Sequence, residues 1–157
     1  MLQRIQTIYY SVSIICLTIV SLGATIFKFS SKDYYYHFSV YGIAKFNPSN
    51  QLIEMHSFPY YVASIVLLLL LCATFFLFKK QKKQLALGRL TFILYFVLLV
   101  SLLFTSFLGD ELTGVKEITK SSQIGFYLFV IGFPMVYLGN LGVKRDIKLL
   151  DSLNRLR

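Results

Sequence analysis

Residues 59–78 read PYYVASIVLLLLLCATFFLF. The run carries no charge, and its centre is the aliphatic block Ile65–Val66–Leu67–Leu68–Leu69–Leu70–Leu71. A helix of this composition offers no polar face to water, so it belongs inside an apolar medium. About 20 residues rising 1.5 Å each cover a hydrocarbon layer of ~30 Å. Residues 59–78 therefore predict a transmembrane helix.

Three further stretches of similar length and character flank it: Ile5–Phe27, Leu90–Leu108 and Gln123–Val143. None contains Asp, Glu, Lys, Arg or His. Hydrophobic residues make up 56% of the 157-residue chain, against about 45–50% in a soluble domain. The excess is concentrated in these four runs. The first run has a second reading, because Arg4, an apolar core and Ser21–Leu22–Gly23–Ala24 resemble a cleavable signal peptide. A retained span is the expected reading. The expected fold is an all-α integral membrane protein in one domain, 1–157, with four transmembrane helices, a small β element in the first outside loop and a C-terminal amphipathic helix.

The formal net charge is +9, and its placement fixes an expected orientation. Lys79, Lys80, Lys82, Lys83 and Arg89 fill the linker after the second run, and Lys144, Arg145, Lys148, Arg155 and Arg157 fill the tail. On the other side Lys28, Lys32, Lys45, Lys116 and Lys120 are matched by Asp33, Glu54, Asp110, Glu111 and Glu117. Lys and Arg accumulate in cytoplasmic loops, which puts both termini and the basic linker in the cytoplasm. Membrane lipids are the expected counter-charge for these lysines. Nucleic acid is not an expected partner.

The first outside loop, 28–58, is rich in strand-forming residues around Tyr34–Tyr35–Tyr36–His37–Phe38. Asn47–Pro48–Ser49–Asn50 is a turn signal, followed by a returning strand at Gln51–His56. A lone hairpin is marginal in water, so this element should lean on the bilayer, on helix ends or on a partner. The second outside loop, 109–122, reads as a polar connection.

In the fourth run Gly125, Gly132 and Gly139 recur every seventh residue, with Gly142 three further on. Such a spacing marks a helix face on which another backbone packs closely. Pro134 removes one helical donor and predicts a bend. Asn140 is placed to bond across helices. Beyond the run, Leu149, Leu150, Leu153 and Leu156 share one face of an amphipathic helix that also carries Arg155. Such a face suits a lipid surface or a docking contact.

No catalytic, cofactor-binding or metal-binding constellation emerges. His37 and His56 have no third ligand at a recognised spacing, and Cys16 and Cys72 both fall inside apolar runs. Ionisable residues within the spans, the usual mark of proton relays, are missing. The expectation is a non-enzymatic accessory subunit of a larger inner-membrane complex, serving envelope biogenesis or protein export alongside other integral membrane proteins. The alternative is a small homo-oligomeric channel or transporter.

The chain opens Met1–Leu2–Gln3–Arg4–Ile5–Gln6–Thr7–Ile8–Tyr9 and closes Arg155–Leu156–Arg157. These termini, with four apolar runs between them, resemble an uncharacterised four-span inner-membrane family of the Bacteroidota, a domain of unknown function. The resemblance implies a bacterial cytoplasmic membrane and brings no activity and no site residues.

Overall fold

The computed structural model describes residues 3–31, 34–49, 51–108 and 119–155. Among them are four helices: α1 (Gln3–Ser21), α2 (Tyr60–Phe76), α3 (Gln81–Phe107) and α4 (Ile124–Arg155). A 3-10 turn, Leu77–Lys79, joins α2 to α3. The strands are β1 (Phe27–Ser30), β2 (Tyr35–Ser39), β3 (Gly42–Phe46), β4 (Leu52–Ser57) and β5 (Thr119–Ser122).

The strands form one antiparallel sheet in the order β4-β3-β2-β1-β5. The fold is therefore not all-α with a small β element: it is a helical bundle crowned by a five-stranded sheet. Two errors of sequence reading have physical causes. The first apolar run extends to Phe27, but the helix stops at Ser21 and Gly23, at φ +104°, turns the chain. Phe27 and Phe29 then alternate with polar residues as a half-buried strand. The second loop is no mere connection, because Thr119–Ser122 pairs with β1 from about ninety residues away along the chain. Such a pairing leaves no local signal.

The helices pack antiparallel to their neighbours, α1 against α2 and α4, and α3 against α2 and α4. Their buried positions follow one pattern. In α1 they are Gln6, Tyr10, Ser13, Cys16, Leu17 and Val20, and in α2 Ser64, Leu67, Leu71 and Thr74. In α3 they are Gln84, Gly88, Thr91, Tyr95, Leu98, Leu102 and Thr105, and in α4 Gly125, Phe129, Gly132, Val136, Gly139, Asn140, Val143 and Asp146. Apart from Cys16 and Asn140, which lie beside the line, steps of four and three alternate, the repeat of helices that wrap one another at a shallow angle. Small and polar residues lie inside among larger apolar ones. The outer surface is apolar, with Ile8, Ile15, Leu69, Ile93 and Val97 about half exposed or more. An outer surface as apolar as this is the pattern of a bundle whose solvent is hydrocarbon.

Three helical segments are long and apolar enough to cross a membrane: Tyr60–Lys79, Gln81–Phe107 and Ile124–Ser152. The apolar part of α1, Ile5–Ser21, is shorter. The third helix starts at Gln81, so the basic linker up to Arg89 is itself helical. Nor is there a separate C-terminal amphipathic helix, because residues 144–155 continue α4 without a break through Pro134 and beyond.

The sheet stands on one end of the bundle. Its inner face is Phe27, Phe29, Tyr36, Phe38 and Ile43, all nearly fully buried. Phe27 meets Phe126 at 5.2 Å between ring centres, and Phe38 meets Tyr60 at 5.8 Å. Backbone bonds fasten the junction: Gln123 N–H to Ile26 O at 2.9 Å, and Gly125 N–H to Thr25 O at 3.0 Å. The Tyr41 hydroxyl donates to Ser21 O at 2.8 Å, using a carbonyl that the end of α1 leaves free.

Candidate functional site

Four places hold the polar and glycine residues singled out in the sequence. The first is the glycine face of α4. Gly125 lies on the backbone of Ala24 and Thr25, where an added Cβ would come within 2.9 Å and 2.7 Å of their carbonyl oxygens. Gly132 faces the Tyr95 hydroxyl and Ser13, Gly139 faces the Tyr10 ring, and Gly142 faces Gln6. The face is thus shared by α1 and α3. Pro134 lies in the middle of α4, where it cannot donate to the Val130 carbonyl. One residue earlier, the Phe129 carbonyl accepts a bond from the Tyr95 hydroxyl at 3.1 Å.

The second place is a buried polar network at the end of the bundle opposite the sheet. The Tyr10 hydroxyl donates to Asn140 Oδ1 at 2.9 Å, and Asn140 Nδ2 donates to Gly88 O at 2.9 Å. Asn140 therefore ties three helices together through one side chain. A turn further out, Gln6 Nε2 donates to the Asp146 carboxylate. Gln84 is 3% exposed, and its Oε1 has no partner among the described residues. Each of these groups would be costly to bury alone in a bundle without water, so the network specifies which helices meet and in what register. Sequence reading found Asn140 and missed Gln6, Tyr10, Gln84, Gly88 and Asp146. The signal was present: Gln6, Tyr10 and Ser13 on α1, and Gln84, Gly88 and Thr91 on α3, follow steps of four and three that add to the seven-residue spacing of the glycines.

The third place is basic. Lys79, Lys80, Lys82 and Lys83 line a cavity of about 680 Å³ together with Phe78, Gln81, Ile147, Leu150 and Asp151. The structure brings the lysines of the α2–α3 junction together with Leu150 of the α4 extension. Leu149, about half exposed, does not line this cavity. The side chains of Leu153 and Arg155, and all of Leu156, lie outside the described residues.

The fourth place is the sheet. His37 pairs with Ala44, whereas His56 pairs with Ile43. Adjacent rows point to opposite faces, so the two imidazoles face apart. Partial burial, and then the Lys28 ammonium, push the His37 pKa below its usual value. Among the described residues no three His, Cys, Asp or Glu side chains gather in one place.

A family model matches residues 2–156, nearly the whole chain. The chain belongs to DUF4293, a domain of unknown function. None of the curated proteins matches it. Membership in DUF4293 assigns no activity.

Proposed function

We propose that this DUF4293 protein is a multi-pass protein of a bacterial inner membrane and a non-catalytic accessory subunit of a larger assembly there. The assembly serves envelope biogenesis or protein export. Four helices cross the bilayer, both termini face the cytoplasm, and the sheet faces outward. The gathering of lysines and arginines at the end away from the sheet supports that orientation. For α1 the support is its register along α4: Gln6 meets Asp146 and Thr25 meets Gly125. It therefore traverses the same depth as a helix that is long enough to cross.

The observation that carries the subunit reading is β4. Every residue of Leu52–Ser57 is exposed, including Leu52 at 58%, Ile53 at 44% and Met55 at 54%. The strand is at the edge of the sheet. Its outer row of N–H and C=O groups pairs with no strand among the described residues. An edge of this kind accepts a strand from another chain. The partner is an integral or envelope protein presenting an extended apolar segment beside the membrane.

Co-purification from native membranes in mild detergent, read by mass spectrometry, tests the reading. A stoichiometric partner is expected, and Ile53→Lys with Met55→Lys should release it while the protein stays folded. Recovery of the wild-type protein as a lone monomer would refute the proposal.

A further inference from the structure

The lysine-lined cavity has a chemistry of its own. Its volume, about 680 Å³, falls in the roughly 300–1,000 Å³ range of ligand sites. Four ammonium groups, from Lys79, Lys80, Lys82 and Lys83, border it against one carboxylate, Asp151. The lysines are exposed, and among the described residues no salt bridge neutralises them. The first turn of α3 adds to the positive field, because it carries no acid and Lys80 at its cap makes no side-chain bond to it. Phe78, Ile147 and Leu150 complete the wall with apolar surface. Phe78 and Leu150 are about half exposed, so that surface is open to what lies beside the bundle. A ligand matching both parts is an anion attached to hydrocarbon.

We infer that this cavity binds the phosphodiester headgroup of an anionic phospholipid, with its acyl chains against Phe78, Ile147 and Leu150. The inference rests on the membrane placement proposed above and is independent of any protein partner. The lysines hold the phosphate oxygens, and Asp151 faces the headgroup's hydroxyl or glycerol end rather than its phosphate. Basic pockets between helices on the cytoplasmic side favour such headgroups. The site joins the end of α2, the start of α3 and the extension of α4. A bound lipid therefore bridges two segments that no backbone bond connects.

Titration of the detergent-purified full chain with short-chain phosphatidylglycerol, short-chain phosphatidylcholine and inorganic phosphate, followed by thermal shift and native mass spectrometry, tests this. Phosphatidylglycerol should bind and stabilise, and the other two should be far weaker. Lys82→Gln with Lys83→Gln should weaken binding about fivefold per lysine, roughly 25-fold for the pair, from the usual contribution of a basic residue near an anionic surface. Lys144→Gln with Arg145→Gln removes the same charge from outside the cavity, and should weaken binding by less than about twofold if the site is local. Equal losses in the two double variants would mean diffuse surface charge and overturn the inference. So would equal binding of phosphatidylcholine, and inorganic phosphate binding as tightly as the lipid would assign the site to a soluble anion instead. Since Lys82 and Lys83 are exposed, a lipid-free melting temperature equal to wild type is expected. Lys79→Gln with Lys80→Gln should reproduce the loss independently, and unchanged lipid binding in that variant would overturn the inference as well.

Discussion

Gly139→Ala adds one methyl group where α4 crosses Tyr10. An ideal Cβ there would sit 2.8, 2.9 and 3.1 Å from three carbons of the Tyr10 ring. Carbon atoms prefer about 3.5–4.0 Å, so the overlap approaches ~0.7 Å at the closest carbon. The ring is not free to retreat. It is 1% exposed, and its hydroxyl is held by Asn140, which is itself held by Gly88. Overpacking of this kind costs about 1–3 kcal/mol. Displacing the hydroxyl from Asn140 adds about 0.6 kcal/mol, the mean value for bonds between membrane helices. Against this, alanine is favoured over glycine inside a helix by up to about 1 kcal/mol. The clash should win, leaving a net loss of about 1–2 kcal/mol. Reversible unfolding in mixed micelles measures it. A Tyr10→Phe background supplies a second check, because a ring released from Asn140 can yield. The two changes should then be less than additive, by more than the ~0.5 kcal/mol scatter of independent sites. A net stabilisation by Gly139→Ala, or simple additivity, would show that the glycine face is not packed as described.

Three further outcomes are expected. Gly132→Leu, which drives a side chain into the Tyr95 hydroxyl and Ser13, should lower stability by about 1–3 kcal/mol. Leu69→Ala, at a residue 63% exposed, should cost far less, and a lower thermal midpoint for Leu69→Ala than for Gly132→Leu would reverse the inside and outside of the bundle. Single cysteines at Ser49 and Ser152 should react with an impermeant maleimide from opposite sides of the membrane, and labelling of both in intact spheroplasts would overturn the proposed orientation. Burial and then Lys28 lower the His37 pKa in the folded state, so the unfolded chain takes up the proton more readily. Stability should therefore be fully present above the unfolded value of about 6.5 and fall as the pH drops through it towards the folded value. His37→Gln should flatten that slope, and an unchanged slope in the variant would assign the effect to another group.

Sequence alone determined where the long apolar helices lie, though not where the first of them ends. The charge-free block at Ile65–Leu71, the three runs like it and the seven-residue glycine spacing of α4 are local properties. Local properties survive in a linear reading, because lipid demands long apolar segments and close helix contact demands small residues. The amphipathic pattern at 149–156 was also visible, but not that it continues α4. The sheet was decided by tertiary structure. β1 was hidden in the tail of an apolar run, since hydropathy cannot tell a buried strand from a helix end, and only the positive φ at Gly23 separates them. β5 has no hydrophobic pattern, and its exposed residues Thr119–Ser122 become a strand only because β1 arrives beside them. The buried network was half legible. Asn140 stands out in an apolar helix, but Gln6 and Gln84 lie near helix ends and Asp146 lies beyond the apolar part of α4, where polar residues ordinarily face water. Packing against the neighbouring helices turned them inward, and the same packing gathered the lysines of the α2–α3 junction and the extension of α4 around one cavity.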